Sequence, residues 1–198
     1  AKRGARLVLT SRDKIRGELV VEELQRKSNN KNIEMLICDL AQLSSVAICA
    51  KEFIQRYNTL HVLIHAAGVL TPIYEEHESI ELTMAVNYFA PVLLTELLLP
   101  LMKRSAPSRL IIVTSSMHKH GVINLDTLDG RGPYDGTQAY SNSKLALMLY
   151  ALHLSRALSP REVMVATVHP GWIRTKLSTA MDKNFGIKEI FNRLLRMR

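Results

Sequence analysis

The sequence predicts a single α/β domain built on a doubly wound parallel sheet. Two observations carry that expectation. Apolar runs of strand length alternate with longer segments of helical period, and residues able to do chemistry recur directly after the runs. The length agrees, because 198 residues with 47% hydrophobic side chains can bury one substantial core.

Taken in order, the strand candidates are Arg6 to Thr10, Ile33 to Cys38, His61 to Ile64, Leu110 to Thr114 and Met164 to Val168. Their density of Val, Ile and Leu suits strands covered on both faces. Val46, Ala50, Phe53 and Tyr57 recur at helical spacing after Ser44, a candidate N-cap, so one apolar stripe is available to pack on the sheet. The longest apolar run, Ala90 to Met102, is interrupted by Glu96 and falls short of the roughly 20 residues a membrane span needs. Pro91 follows Asn87 by four residues and has no N–H to give the Asn87 carbonyl, which predicts a kink and a freed carbonyl there. Ser141 to Leu158 is apolar on most sides, which implies burial in the fold or against a second copy of the chain, as in a homo-oligomer.

Composition excludes several classes. Cys38 and Cys49 form neither a Cys-x-x-Cys pair nor a zinc-ligand spacing, so neither a disulfide framework nor a metal site is expected, and a reducing compartment fits best. The net charge is +8, but the lysines and arginines are scattered, stand beside acids as in Arg12-Asp13-Lys14, and lack interleaved aromatics. A nucleic-acid partner is not expected; a solvated basic surface that attracts anionic cofactors is. The opening residues, Ala1 to Arg6, hold no apolar stretch like a secretory leader.

A parallel sheet places ligands at the carboxyl ends of its strands. After the first comes Ser11-Arg12-Asp13, where Arg12 suits a 2′-phosphate, or where Arg12 and Asp13 merely begin a helix. After the second comes Asp39-Leu40, and after the third His65-Ala66-Ala67-Gly68, small enough for a ligand to approach the backbone. The last two strands are followed by Thr114-Ser115-Ser116 and His169-Pro170-Gly171. Between them Tyr140 and Lys144 stand four apart and share a helix face. A phenol titrates near pH 10, so a neighbouring ammonium that favours the phenolate would make it a usable acid/base, and a serine hydroxyl could hold a substrate carbonyl beside it. By spacing alone the same pair also reads as a solvent-facing Tyr and Lys.

Together these residues resemble the short-chain dehydrogenase/reductase family, with its Tyr-x-x-x-Lys helix, a serine ending the preceding strand and a Pro-Gly turn after the next. The resemblance runs along essentially the whole chain and implies a Rossmann-like fold. It implies that Tyr140 is the acid/base, that Lys144 lowers its pKa and binds the nicotinamide ribose, that Ser116 rather than Ser115 orients substrate, and that Asn87 supports a proton relay through water. It further implies that Arg12, Asp39, Leu40, Ala67, Gly68, Tyr140, Lys144, Pro170, Gly171, Ile173 and Thr175 bind the cofactor, NADP in preference to NAD.

The departures from the family pattern matter too. Many relatives carry Asn-Asn-Ala-Gly where this chain has His65-Ala66-Ala67-Gly68, and His65 is read as a packed residue rather than a catalyst. The resemblance also implies that a first strand with its glycine-rich turn, and C-terminal substrate-binding elements, lie outside the 198 residues, so weak NADP binding is expected of this polypeptide by itself. The long insert between Ser116 and Tyr140 and the His-Pro-Gly turn look most like the retinol-dehydrogenase-like branch. That implies a lipophilic small-molecule carbonyl or alcohol, retinoid- or steroid-like, and a cytoplasmic location, or the cytoplasmic face of the endoplasmic reticulum where an upstream anchor exists. The competing expectations are a catalytically inactive, truncated family member serving as an interaction module, and a different Rossmann-like enzyme such as a methyltransferase, which would not need Tyr140, Lys144 and Ser116 together.

Overall fold

The computed structural model describes residues 1–125 and 133–171. In chain order the elements are β1 (Leu7–Ser11), α1 (Lys14–Ser28), β2 (Ile33–Ile37), α2 (Leu43–Arg56), β3 (Val62–His65) and a short hairpin, β4 (Glu76–His77) with β5 (Ile80–Glu81). There follow α3 (Leu82–Met84), a π-helical turn (Ala85–Phe89), α4 (Ala90–Arg104), β6 (Ser108–Val113), a 3-10 turn (Ser116–His120), α5 (Gly136–Ala157) and β7 (Val163–Val168). The five expected strands form within two residues of their predicted bounds, all in parallel ladders.

The ladders fall into two sheets, β1 with β2 and β3-β6-β7 in that order, and β1 is not hydrogen-bonded to β3. What joins them is a core of Leu36, Val46, Cys49, Ala50, Ala90, Leu94 and Leu98, onto which Val8 of β1 and Leu63 of β3 also pack. A second core puts Leu147, Ala151 and Leu154 of α5 on Leu110, Ile112 and Val163. Helices α2, α4 and α5 thus share one face. On the other, α1 packs on Ser11 and Met35, against which a Cβ at Gly17 would collide.

Among the described residues, coverage on both faces is therefore incomplete. Val62 and Ile64 of β3 are 43% and 56% exposed, because α1, the helix described on that face, lies over the β1–β2 pair. The Ser44 cap is also corrected: α2 starts at Leu43, and its free N–H groups are met from outside. Glu78 accepts from the Leu43 N–H and from the Ser44 hydroxyl, each at 2.6 Å. Asp13 does begin a helix, accepting from the Arg16 N–H at 2.9 Å.

The apolar run at Ala90 to Met102 belongs to a longer helical stretch than expected. Leu82–Arg104 is continuous over 23 residues and is long and apolar enough to cross a membrane, yet 56% of its most apolar window is buried inside the fold. It is a core helix. Pro91 is preceded by the π-helical turn, in which the Ala90 N–H bonds the Ala85 carbonyl, so the expected distortion takes the form of a widened turn. One stripe of α5, including Lys144, Leu147, Ala151 and Leu154, is likewise buried in the fold, although Leu149 and Leu152 are exposed.

Candidate active site

The carboxyl ends of β3, β6 and β7 open at one edge of the molecule. His65 lies in register with Ile112, and the Thr114 N–H donates to the Val168 carbonyl at 2.9 Å. The strand-end loops carrying Gly68, Ser115 and Pro170 consequently leave the sheet side by side. Helix α5 is capped by Asp135, which accepts from the N–H groups of Thr137 and Gln138, and its first two turns bring Tyr140 and Lys144 to that edge.

Tyr140 and Lys144 are 6% and 4% exposed, which rules out a solvent-facing pair. The Lys144 ammonium lies 5.7 Å from the Tyr140 ring centroid and donates to the Val113 carbonyl at 3.3 Å. A Cβ at Gly68 would stand 3.4 Å from Lys144 Nζ and 3.5 Å from Asn87 Oδ1, so glycine brings the backbone close to both. Burial pulls the Lys144 ammonium down to about 8, since a charge with little water is costly.

The phenol departs from expectation. Burial pushes Tyr140 above the ordinary phenol value, and the group that pulls the other way is the nearby Ser115 hydroxyl, not the lysine. Lys144 is itself poorly solvated and is held on a backbone carbonyl rather than on the phenolic oxygen. The serine beside the phenol is thus Ser115, which also caps the following turn by accepting from the Met117 N–H at 3.3 Å. Ser116 begins that turn, is exposed, and lacks a hydrogen-bond partner among the described residues.

Asn87 is fully buried and its side chain is committed to structure. Its Oδ1 accepts from the Val69 N–H at 2.8 Å, and its Nδ2 donates to the Val69 carbonyl at 2.9 Å and to Ser143 Oγ at 3.0 Å. Sequence reasoning gave no role to Val69, because a backbone partner leaves no residue-type signal. Ser143 lay unremarked inside the Tyr-x-x-x-Lys segment. His65 is packed as expected, with Nε2 at 2.7 Å from Thr95 Oγ1, and burial lowers it to about 4.

The remaining predicted residues line the same end of the strands. Arg12 is exposed just beyond β1, and Asp39 and Leu40 are partly buried after β2, Asp39 accepting from the Ala41 N–H at 3.0 Å. Ala67 is exposed beside Gly68, Pro170 and Gly171 are exposed after β7, and Gly171 takes a φ of +75°. Ile173 and Thr175 lie outside the described residues. Among the described residues no cluster of His, Cys, Asp or Glu could hold a metal.

The family model for short chain dehydrogenase matches residues 1–185. The chain belongs to the short-chain dehydrogenase family. Among members of this family, it is similar to human retinol dehydrogenase 11, at 39% identity over 178 residues covering 89% of this chain and 56% of that protein. It is also similar to bovine dehydrogenase/reductase SDR family member 13, at 39% identity covering 89% of this chain and 47% of that one. The chain thus spans about half the length of these relatives. A crystal structure of a protein from Mycobacterium paratuberculosis superposes with a TM-score of 0.74 at 32% identity, covering 96% of this chain and 67% of that one. The short-chain dehydrogenase from Sphingobium yanoikuyae in complex with NADPH shares the fold, with a TM-score of 0.72 at 22% identity, covering 90% of this chain and 66% of that one.

Proposed function

We propose that this chain carries the reaction centre of an NADP(H)-dependent oxidoreductase that interconverts a carbonyl and an alcohol on a lipophilic small molecule. The observation that supports it most is the burial of Tyr140 and Lys144 on one face of α5, beside Gly68, Asn87 and Ser115 at the carboxyl ends of β3, β6 and β7.

The residues fit a nicotinamide cofactor. Lys144 is a buried ammonium with three N–H donors of which Val113 takes one, leaving two directed needs that ribose hydroxyls would satisfy. Gly68 and Ala67 give that ligand a backbone without bulk, while Asp39 and Leu40 would face the adenine and Arg12 the 2′-phosphate on the adenosine ribose. Pro170 and Gly171, exposed after β7, would line the nicotinamide side. When bound, the cofactor supplies or accepts the hydride.

The chain's own residues then handle the proton. The Tyr140 phenol, whose neutral form burial favours further, donates its proton to a carbonyl oxygen. Ser116 orients that oxygen with its unpaired hydroxyl, and Ser115 keeps the phenol in place. With the Asn87 side chain fully engaged, the Asn87 main-chain carbonyl is what can hold a relay water, next to Pro91, which has no N–H to offer it. The names of the relatives support a retinoid as substrate, with steroid-like carbonyls as the neighbouring class.

The test is NADPH and NADH oxidation by the complete polypeptide with retinal, steroid ketones and small aldehydes. Turnover of a lipophilic carbonyl with NADPH is expected, and Arg12→Ala should cut the preference for NADPH over NADH about tenfold, the effect of losing one charge-assisted contact. Failure of every carbonyl to oxidise either cofactor contradicts the reading.

A further inference from the structure

We propose that the hydrogen bond between Tyr134 and Glu81 is a positioning tie that sets the two helices bearing the candidate reaction centre against each other; this rests on the reading of Tyr140 and Asn87 given above. Glu81 caps the helical stretch that carries Asn87, accepting from the N–H groups of Thr83 and Met84 at 2.8 Å each. Tyr134 directly precedes Asp135, the cap of the helix that carries Tyr140 and Lys144. The Tyr134 hydroxyl donates to Glu81 Oε1 at 2.8 Å, so one hydrogen bond joins the starts of both helices. Each partner stands six residues before the site residue of its own helix.

The tie is built to persist. Glu81 is fully buried, and a buried carboxylate holds its donors firmly because losing one exposes a desolvated charge. The Tyr134 oxygen lies 2.9 Å from the Thr71 hydroxyl and 3.4 Å from that of Thr83. The Tyr134 ring meets Tyr74 edge-on at 5.6 Å. Beside it, Gly136 presses against the Thr71 carbonyl so closely that a Cβ would stand 1.9 Å away. The same two helices are also tied by Asn87 to Ser143 at 3.0 Å, deeper in the site, and by Tyr150 to Glu96 at 2.7 Å, further along both. Separated ties fix an angle as well as a distance, and the Tyr134–Glu81 bond is the one at the helix starts, the end of α5 that carries Tyr140; proton transfer at Tyr140 depends on both angle and distance.

The experiment compares Tyr134→Phe, which keeps the ring, with Thr71→Val, with Tyr140→Phe and with Leu154→Val, a core change at the far end of α5, all in the complete polypeptide. Tyr134→Phe should lower kcat about tenfold while KM for NADPH stays within about twofold, the signature of lost alignment rather than lost binding. It should also speed amide exchange at Ala139 to Ser141, with Thr71→Val giving a smaller change in both. Leu154→Val should leave kcat intact. A kcat for Tyr134→Phe no lower than that of Leu154→Val, or unchanged exchange at Ala139 to Ser141, overturns the proposal. If Tyr140→Phe keeps its turnover, the reading of the site has failed instead, and the exchange rates still judge the tie.

Discussion

Lys144 shows at the scale of one side chain what the site costs the fold. Its amine titrates at about 8 in the folded state and at its ordinary value of 10.5 when exposed, so between those values the unfolded chain binds more protons and stability rises with pH. Below about pH 8 the folded protein carries a buried ammonium at a cost of about 3 kcal/mol. Denaturant titrations should therefore show Lys144→Met gaining stability over the parent at pH 7 and losing that advantage near pH 10; parallel curves would contradict it. His65 works at the other end of the scale. Held neutral by burial and titrating at about 4, it contributes stability that is complete above pH 6.5 and drains away as the pH falls towards 4. His65→Gln should flatten that acid loss by about 3 kcal/mol, as read from urea midpoints. Tyr140 and Lys144 were legible in the sequence because their spacing is local to one helix. The choice between Ser115 and Ser116 was not, since it turns on how a strand ends and a turn begins. Ser116→Ala should slow turnover through lost substrate orientation and leave Tyr140 in place, whereas Ser115→Ala should shift the pH dependence of turnover, because Ser115 bears on the phenol itself.

Among the elements, helix starts decide the arrangement. Asp135 caps α5 within its own sequence, but α2 borrows Glu78 from the turn between β4 and β5, where Glu78 and Ser79 adopt φ of 50° and 63°. Positive φ at two residues that are not glycine is the cost of aiming that carboxylate. Glu78→Ala should lower the unfolding midpoint through the lost cap, measured by thermal or urea unfolding. Gly136→Ala is predicted to be far more damaging, by about 3 kcal/mol or more, because its Cβ would meet the Thr71 carbonyl, which is backbone and cannot swing aside. The strand positions were readable from runs of Val, Ile and Leu. The Ser44 cap was misjudged because the true cap comes from a residue 34 positions away. Tyr134 and Glu81 had no signal at all, since neither lies in a motif and the contact exists only once both helices are placed.

At the largest scale, the division into two sheets bears on how this 198-residue chain opens. The β1–β2 pair is joined to β3-β6-β7 through side-chain packing rather than a backbone ladder. In the 198-residue chain by itself, amides of β1 and β2 should therefore exchange through a lower-energy opening than those of β6, which is laddered on both sides. Equal protection across all five strands would contradict that. The alternation of strands and helices made the parallel sheet legible, whereas the one-sided covering of β3 among the described residues depends on where α1 comes to rest and could not be read from residue order. What the fold achieves at this scale is to gather distant loops around one phenol. The most direct test of that claim is single-turnover NADPH oxidation by the complete polypeptide carrying Tyr140→Phe, with NADPH affinity measured in parallel. The account predicts retained affinity and hydride transfer slowed by a factor on the order of a thousand, as expected when a general acid is removed. An undiminished rate would contradict it.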